Sequence, residues 1–145
     1  MLVNQILSMK GSNEVVTIRP DATVAEAARL LAERRIGAVV VSEDGVTAEG
    51  ILSERDIVRA LGRTGAQILE GPISELMTRK LITCKTGDDA MGVFEVMTQG
   101  RFRHLPVVSG DGKMIGLISI GDAVSARLKE LNAEKEALTG MIMGA

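Results

Sequence analysis

Two seven-residue stretches, 66 positions apart, carry the groups best suited to chemistry in this chain: Gly50-Ile51-Leu52-Ser53-Glu54-Arg55-Asp56 and Gly116-Leu117-Ile118-Ser119-Ile120-Gly121-Asp122. Gly, Ser and Asp recur at matching places. If each Ser opens a helix, the turn offers unpaired backbone N–H groups and about half a positive charge, where a phosphate finds donors. The carboxylate only accepts hydrogen bonds and can take two from vicinal hydroxyls, which suits a ribose. Ile51-Leu52 or Leu117-Ile118 can supply apolar sides for a purine, and the glycine lets backbone come close. The same residues also make a good helix cap, with Ser as N-cap and an acid three residues on, worth about 1 kcal/mol. A carboxylate can cap the empty protein and still accept ribose hydroxyls.

A second informative segment is Arg103-His104-Leu105-Pro106. Pro106 removes a strand donor and keeps the entry extended. Arg103 stays protonated and can grip a phosphate two-pronged. The matching stretch Gly37-Ala38-Val39-Val40 has no proline and no basic pair. The first pocket is therefore expected to be less cationic unless Arg55 or Arg59 turns inward, and Asp122 is expected to matter more than Asp56. Catalytic residues are not expected: Cys84 lies in an apolar run, His104 is the one histidine, and no nucleophile with an activating base suggests itself. Gly110-Asp111-Gly112-Lys113-Met114-Ile115-Gly116 has the wrong glycine spacing for a dinucleotide turn.

The elements that must hold these groups repeat as well. Thr17 matches Thr83, Arg35 matches Arg101 and Val41 matches Val107, while Val3, Ile6, Leu7 and Lys10 match Ile73, Leu76, Met77 and Lys80 at an offset of 70, leaving a small extra loop around Gly11-Ser12-Asn13. Each copy reads as a short helix, then strand, helix, strand, strand, helix. Strands are expected over 15–20 and, in copy, over 81–85. Thr23 with Glu26 fits a capping box before a helix striped by Val24, Ala27, Ala28 and Leu31; its copy carries Ala90, Val93, Phe94 and Met97. Asp44-Gly45 and Asp111-Gly112 signal hairpins. Closing helices begin at Ser53 and Ser119, the second running through Leu128 toward Leu138. Residues 63–72 form the joint.

This pattern resembles the CBS domain, the cystathionine-β-synthase-type regulatory repeat that occurs in pairs, and the resemblance spans nearly the whole chain. It implies an α/β (α+β) fold of two tandem β-α-β-β-α repeats forming one pseudo-two-fold module: residues 1–70 with the N-terminal helix, residues 71–130, and a C-terminal helix or tail over 131–145. It further implies that Asp56 and Asp122 hold a ribose, that Ser53 and Ser119 lie near phosphate, and that Arg103, His104 and Pro106 line a base and phosphate pocket. Gly37, Ala38, Arg55 and Ile118 join the same expected clefts. Thr17 and Thr83 stand where family members contact the base, although a β-branched residue in a strand explains them equally well. The expected ligand is an adenine nucleotide (AMP, ATP or NAD) that acts as a regulator, with no ligand needed for catalysis and no metal. A client protein is expected. The alternatives are a ligand-free interaction module and an S-adenosylmethionine binder.

Composition narrows the rest. The chain has 145 residues, 46% of them hydrophobic, enough for a sizeable core, yet no apolar run reaches the roughly 18 residues of a membrane span. With net charge −2, no Tyr or Trp and two Phe, neither a basic patch nor a base-stacking platform for nucleic acid is expected. No secretory signal stands at the N-terminus, so a cytoplasmic protein is expected. One Cys excludes an internal disulfide, and one Cys with one His argues against zinc. A homodimer is expected because the apolar faces Val24/Ala28/Leu31, Ile57/Leu61 and Ala123/Val124/Leu128 exceed what one modest sheet can cover.

Overall fold

The computed structural model describes residues 1–11, 13–100 and 102–144. Ser12 of the extra loop and Arg101, the counterpart of Arg35, lie outside the described residues. Helix α1 spans Val3–Met9, β1 Thr17–Ile18, α2 Val24–Arg34, β2 Ala38–Val41, β3 Gly50–Ser53, α3 Glu54–Thr64, α4 Ala90–Gly100, β4 His104–Val108, β5 Met114–Ser119 and α5 Ile120–Met143. In the first repeat β1 runs parallel to β2, and β2 antiparallel to β3. In the second, β4 and β5 form an antiparallel pair. The expected tandem β-α-β-β-α architecture is therefore present.

The strand expected over 81–85 shrinks to a single parallel bridge, Cys84 to Val107. Proline explains the loss. In the first repeat the Val40 N–H donates to the Val16 carbonyl, and the residue 66 positions beyond Val40 is Pro106, which has no N–H to give. What survives is a bond from the Cys84 N–H to the Pro106 carbonyl and one from the Val108 N–H back to the Cys84 carbonyl. The joint is also more ordered than a linker: α3 reaches Thr64, and tight 3₁₀ turns follow over Ala66–Glu70 and Ile73–Glu75.

Each repeat is completed by the segment preceding the other. Val3, Ile6 and Leu7 of α1 are buried in the second repeat's core with Val93, Met97, Leu105, Val107 and Ile118. Ile73 and Met77, their partners in the repeat, are buried in the first core with Val24, Leu31, Val39 and Leu52. The glycines of the twin turns serve this exchange. A Cβ on Gly50 would lie 2.6 Å from Met77 Sδ and 3.0 Å from the Thr78 carbonyl oxygen, and one on Gly116 would lie 2.8 Å from Leu7 Cδ2. The close approach is made by the chain's own packing.

That exchange also corrects the apolar faces. Val24, Leu31, Ile57 and Ala123 are core residues, and the large apolar side chains left outside on these helices include Val58, Leu61, Val124 and Leu128, with Leu131, Leu138, Met141, Ile142 and Met143 further along α5. Among the described residues no helix is long and apolar enough to cross a membrane.

Candidate functional site

Both twin turns open helices as capping boxes. Ser53 is the N-cap of α3: the Asp56 N–H donates to Ser53 Oγ (3.3 Å), while Asp56 Oδ2 accepts from the Ser53 N–H (2.8 Å) and from its hydroxyl (3.0 Å). Ser119 caps α5 likewise, with the Asp122 N–H donating to Ser119 Oγ (3.0 Å) and Asp122 Oδ2 accepting from the Ser119 N–H (2.9 Å). In both, Oδ1 has no hydrogen-bond partner among the described residues and stays available to a ligand.

Two clefts of similar volume, about 240 and 280 Å³, contain these turns. The first is lined by Ser53, Arg55, Asp56 and Ile51 from its own repeat, and by Lys80, Arg103 and His104 from the other; Arg59 faces it too. The second gathers Ser119, Asp122 and Leu117 with Lys10, Ala38 and His104. Gly37 lies on the wall of both. A methyl there would sit in ordinary van der Waals contact, 3.7 Å from Glu54 Oε1 and 4.0 Å from His104 Cε1, so this shared wall does not itself demand glycine.

The distribution of charge reverses the expectation. Arg103 belongs to the Asp56 cleft, together with Arg55, Arg59 and Lys80. The cause is the crossing of the repeats: the backbone is symmetric, with the Glu54 N–H bonded to the Gly37 carbonyl and the Ile120 N–H to the Arg103 carbonyl, but the Arg103 side chain lines the neighbouring repeat's cleft. His104 lines both. Burial lowers its pKa from the ordinary histidine value, with the charges of Arg103 and Lys10 acting the same way and those of Asp122 and Glu54 opposing, which favours the neutral imidazole.

Asp122 is held differently from Asp56. Burial alone would push its pKa up, but the Ser119 N–H and the hydrogen bond and charge of Lys10 together outweigh this and keep the carboxyl below its usual value. Lys10 Nζ lies 3.0 Å from Asp122 Oδ2.

Several expected residues lie elsewhere. Ile118 is fully buried in the second core, because alternation along β5 turns Leu117 to the cleft and Ile118 inward. Pro106 is fully buried as well. Thr17 pairs with Val40 and lines neither cleft, and Thr83 lines a shallow depression beside Cys84 and Asp88. Burial, helped by Asp88, pushes the Cys84 thiol up to about 11, which removes it as a nucleophile at neutral pH. Lys10 and Lys80 were not expected in the clefts, although their match in the repeat was the available signal. Among the described residues no group of three or more His, Cys, Asp or Glu side chains could hold a metal ion.

Comparison with known proteins shows the family and the fold. The CBS domain family matches twice, over residues 6–63 and 73–129, and the chain belongs to that family. A CBS-domain containing protein from Agrobacterium tumefaciens is 42% identical, with a TM-score of 0.83 over 88% of this chain and 99% of that one. A CBS domain protein from Pyrobaculum aerophilum, solved in complex with AMP, is 28% identical over 84% of this chain and 89% of that one, with a TM-score of 0.73. A further CBS domain pair, 26% identical over 88% of this chain and 98% of its own, with a TM-score of 0.75, was solved with 5′-methylthioadenosine and S-adenosyl-L-methionine. Among curated relatives, the chain spans 62% of a mitochondrial CBS domain protein of Arabidopsis thaliana and 24% of longer CBS proteins from the same plant.

Proposed function

We propose that this CBS pair is a regulatory module that takes an adenine nucleotide of the AMP, ATP or NAD type in a cleft between its repeats. It reports occupancy to a client protein through a change of shape or assembly, and it performs no catalysis itself. We place it in the cytoplasm as a homodimer. The observation that carries the reading is the Asp56 cleft: a carboxylate with a free Oδ1 at a helix N-terminus, in a lining where Arg55, Arg59, Lys80 and Arg103 outnumber the two acids, Asp56 and Glu54. A carboxylate suits sugar hydroxyls, and a surplus of cations suits phosphate.

Bound AMP in one relative and S-adenosyl-L-methionine with 5′-methylthioadenosine in another support an adenosine-containing ligand. The cation surplus favours the phosphorylated members over S-adenosylmethionine, which brings a sulfonium charge of its own. Calorimetric titration with AMP, ATP, NAD and S-adenosylmethionine tests this: phosphorylated ligands should bind more tightly, and Arg103→Ala should weaken them while leaving adenosine little changed. Absence of binding by every adenosine compound at millimolar concentration would leave the interaction module that needs no ligand.

A further inference from the structure

The two clefts differ in one internal contact. The Lys10 ammonium donates to Asp122 Oδ2 at 3.0 Å and to the Leu117 carbonyl oxygen at 2.7 Å, with both side chains largely withdrawn from solvent. Lys80, its partner in the repeat, lines the other cleft but makes no hydrogen bond or ion pair among the described residues, and Asp56 has no cationic partner there.

The backbone accounts for the difference. The counterpart of the Leu117 carbonyl is that of Ile51, and it already accepts the Thr78 N–H at 2.9 Å, within a bridge that also carries the Ile51 N–H to the Thr78 carbonyl. Thr78 is free for this because the 3₁₀ turn before it ends at Glu75. In the first copy the corresponding segment is the longer helix α1, which runs to Met9 and keeps Ser8 inside it. Among the described residues no backbone bridge reaches Leu117 from that side, and its carbonyl and the nearby carboxylate are taken by the Lys10 side chain.

We infer that Lys10 is a built-in occupant of the Asp122 cleft, holding the carboxylate that would accept a sugar, so that the free protein offers one open nucleotide site at Asp56 and one latched site at Asp122. This rests on the nucleotide reading above. The ammonium bonds Oδ2 and leaves Oδ1 without a partner among the described residues, so a sugar reaching Asp122 meets a carboxylate whose charge Lys10 already offsets, whereas at Asp56 no bonded cation offsets it. Lys10 therefore sets the stoichiometry.

The test is calorimetric titration of AMP into the wild type, Lys10→Met and Asp56→Ala/Lys10→Met, with far-UV circular dichroism to verify folding. Methionine keeps the length and apolar stem of the lysine while removing the charge, and Lys10→Gln serves as a second variant that retains a donor for Leu117. The expected result is one AMP per wild-type chain, two for either single Lys10 variant with the new site within about tenfold of the first, and one for the double variant. Two equal sites in the wild type, or one site in both Lys10 variants, would overturn the latch while leaving nucleotide binding intact. Loss of AMP binding on removing Lys10 would overturn it as well, by making the lysine a ligand contact. If AMP bound none of these proteins, the nucleotide reading itself would fall and the latch with it.

Discussion

Removing Asp56 separates the cap from the ligand contact, because its two carboxylate oxygens carry different duties. Oδ2 accepts from the Ser53 N–H and hydroxyl, and Oδ1 is the atom left for a sugar. In Asp56→Ala the ligand-free protein should lose roughly 1 kcal/mol of capping, lowering its melting temperature by about 2–4 °C for a chain of this size. The nucleotide should lose more. One hydrogen bond to a charged acceptor is worth about 1.5–3 kcal/mol, or roughly 12- to 150-fold in Kd. Ser53→Ala is the control, since it takes away the hydroxyl that caps Asp56 N–H yet leaves the carboxylate. Its melting loss should be similar and its affinity loss under about tenfold. Circular dichroism reads the first quantity, which matters here because the chain has no Trp or Tyr, and AMP titration reads the second. Equal affinity losses in the two variants, or none in Asp56→Ala, would reduce Asp56 to a helix cap.

Other outcomes follow from the same geometry. His104 has a folded pKa below its unfolded value of about 6.5. Below pH 6.5 the unfolded chain therefore gains a proton that the folded chain resists, so stability should be flat above that pH, fall as pH drops toward the folded pKa, and level off beneath it. Urea denaturation at pH 7.5 and 5.5 should show this slope in the wild type and a smaller one in His104→Gln; identical slopes would refute the burial argument. Gly50→Ala forces a Cβ against Met77 and the Thr78 backbone and should cost about 1–3 kcal/mol, whereas Gly92→Ala in α4 meets open space and should add roughly 0.5–1 kcal/mol; the opposite order in thermal melts would contradict the packing. Sedimentation at micromolar concentration should give about twice the 15.4 kDa monomer mass, and Leu128→Glu, which charges an exposed apolar site, should shift it toward monomer; a wild-type monomer would rule out the dimer.

The repeat was legible because its signals are local. Ser53-x-x-Asp56, Ser119-x-x-Asp122 and Thr23-x-x-Glu26 form capping boxes as their spacing predicts, and Asp-Gly turns follow β2 and β4, with Gly45 and Gly112 at positive φ. The features that were not legible arise from the crossing of the two copies. Nothing in the neighbourhood of Val3, Ile6 and Leu7 says that they complete the second core, and nothing around Arg103 says that its side chain lines the Asp56 cleft. The missing strand at 81–85 is partly readable: Pro106 removes a donor, but which segment loses its partner depends on a parallel register set by the whole fold. Residues 117 and 118 are equally apolar, and only the phase of β5 decides that Leu117 faces the cleft and Ile118 the core.

The central claim is that the folded clefts bind an adenine nucleotide and the unfolded chain does not. It is tested most directly by the melting temperature at rising AMP. At a hundredfold excess over Kd the linkage is roughly 2.7 kcal/mol, which for a chain of this length is about 5–10 °C. Far-UV circular dichroism should show that rise with AMP, a smaller one with a guanine nucleotide, and little with AMP in Asp56→Ala. A transition that moves by less than a degree at millimolar AMP would contradict the claim.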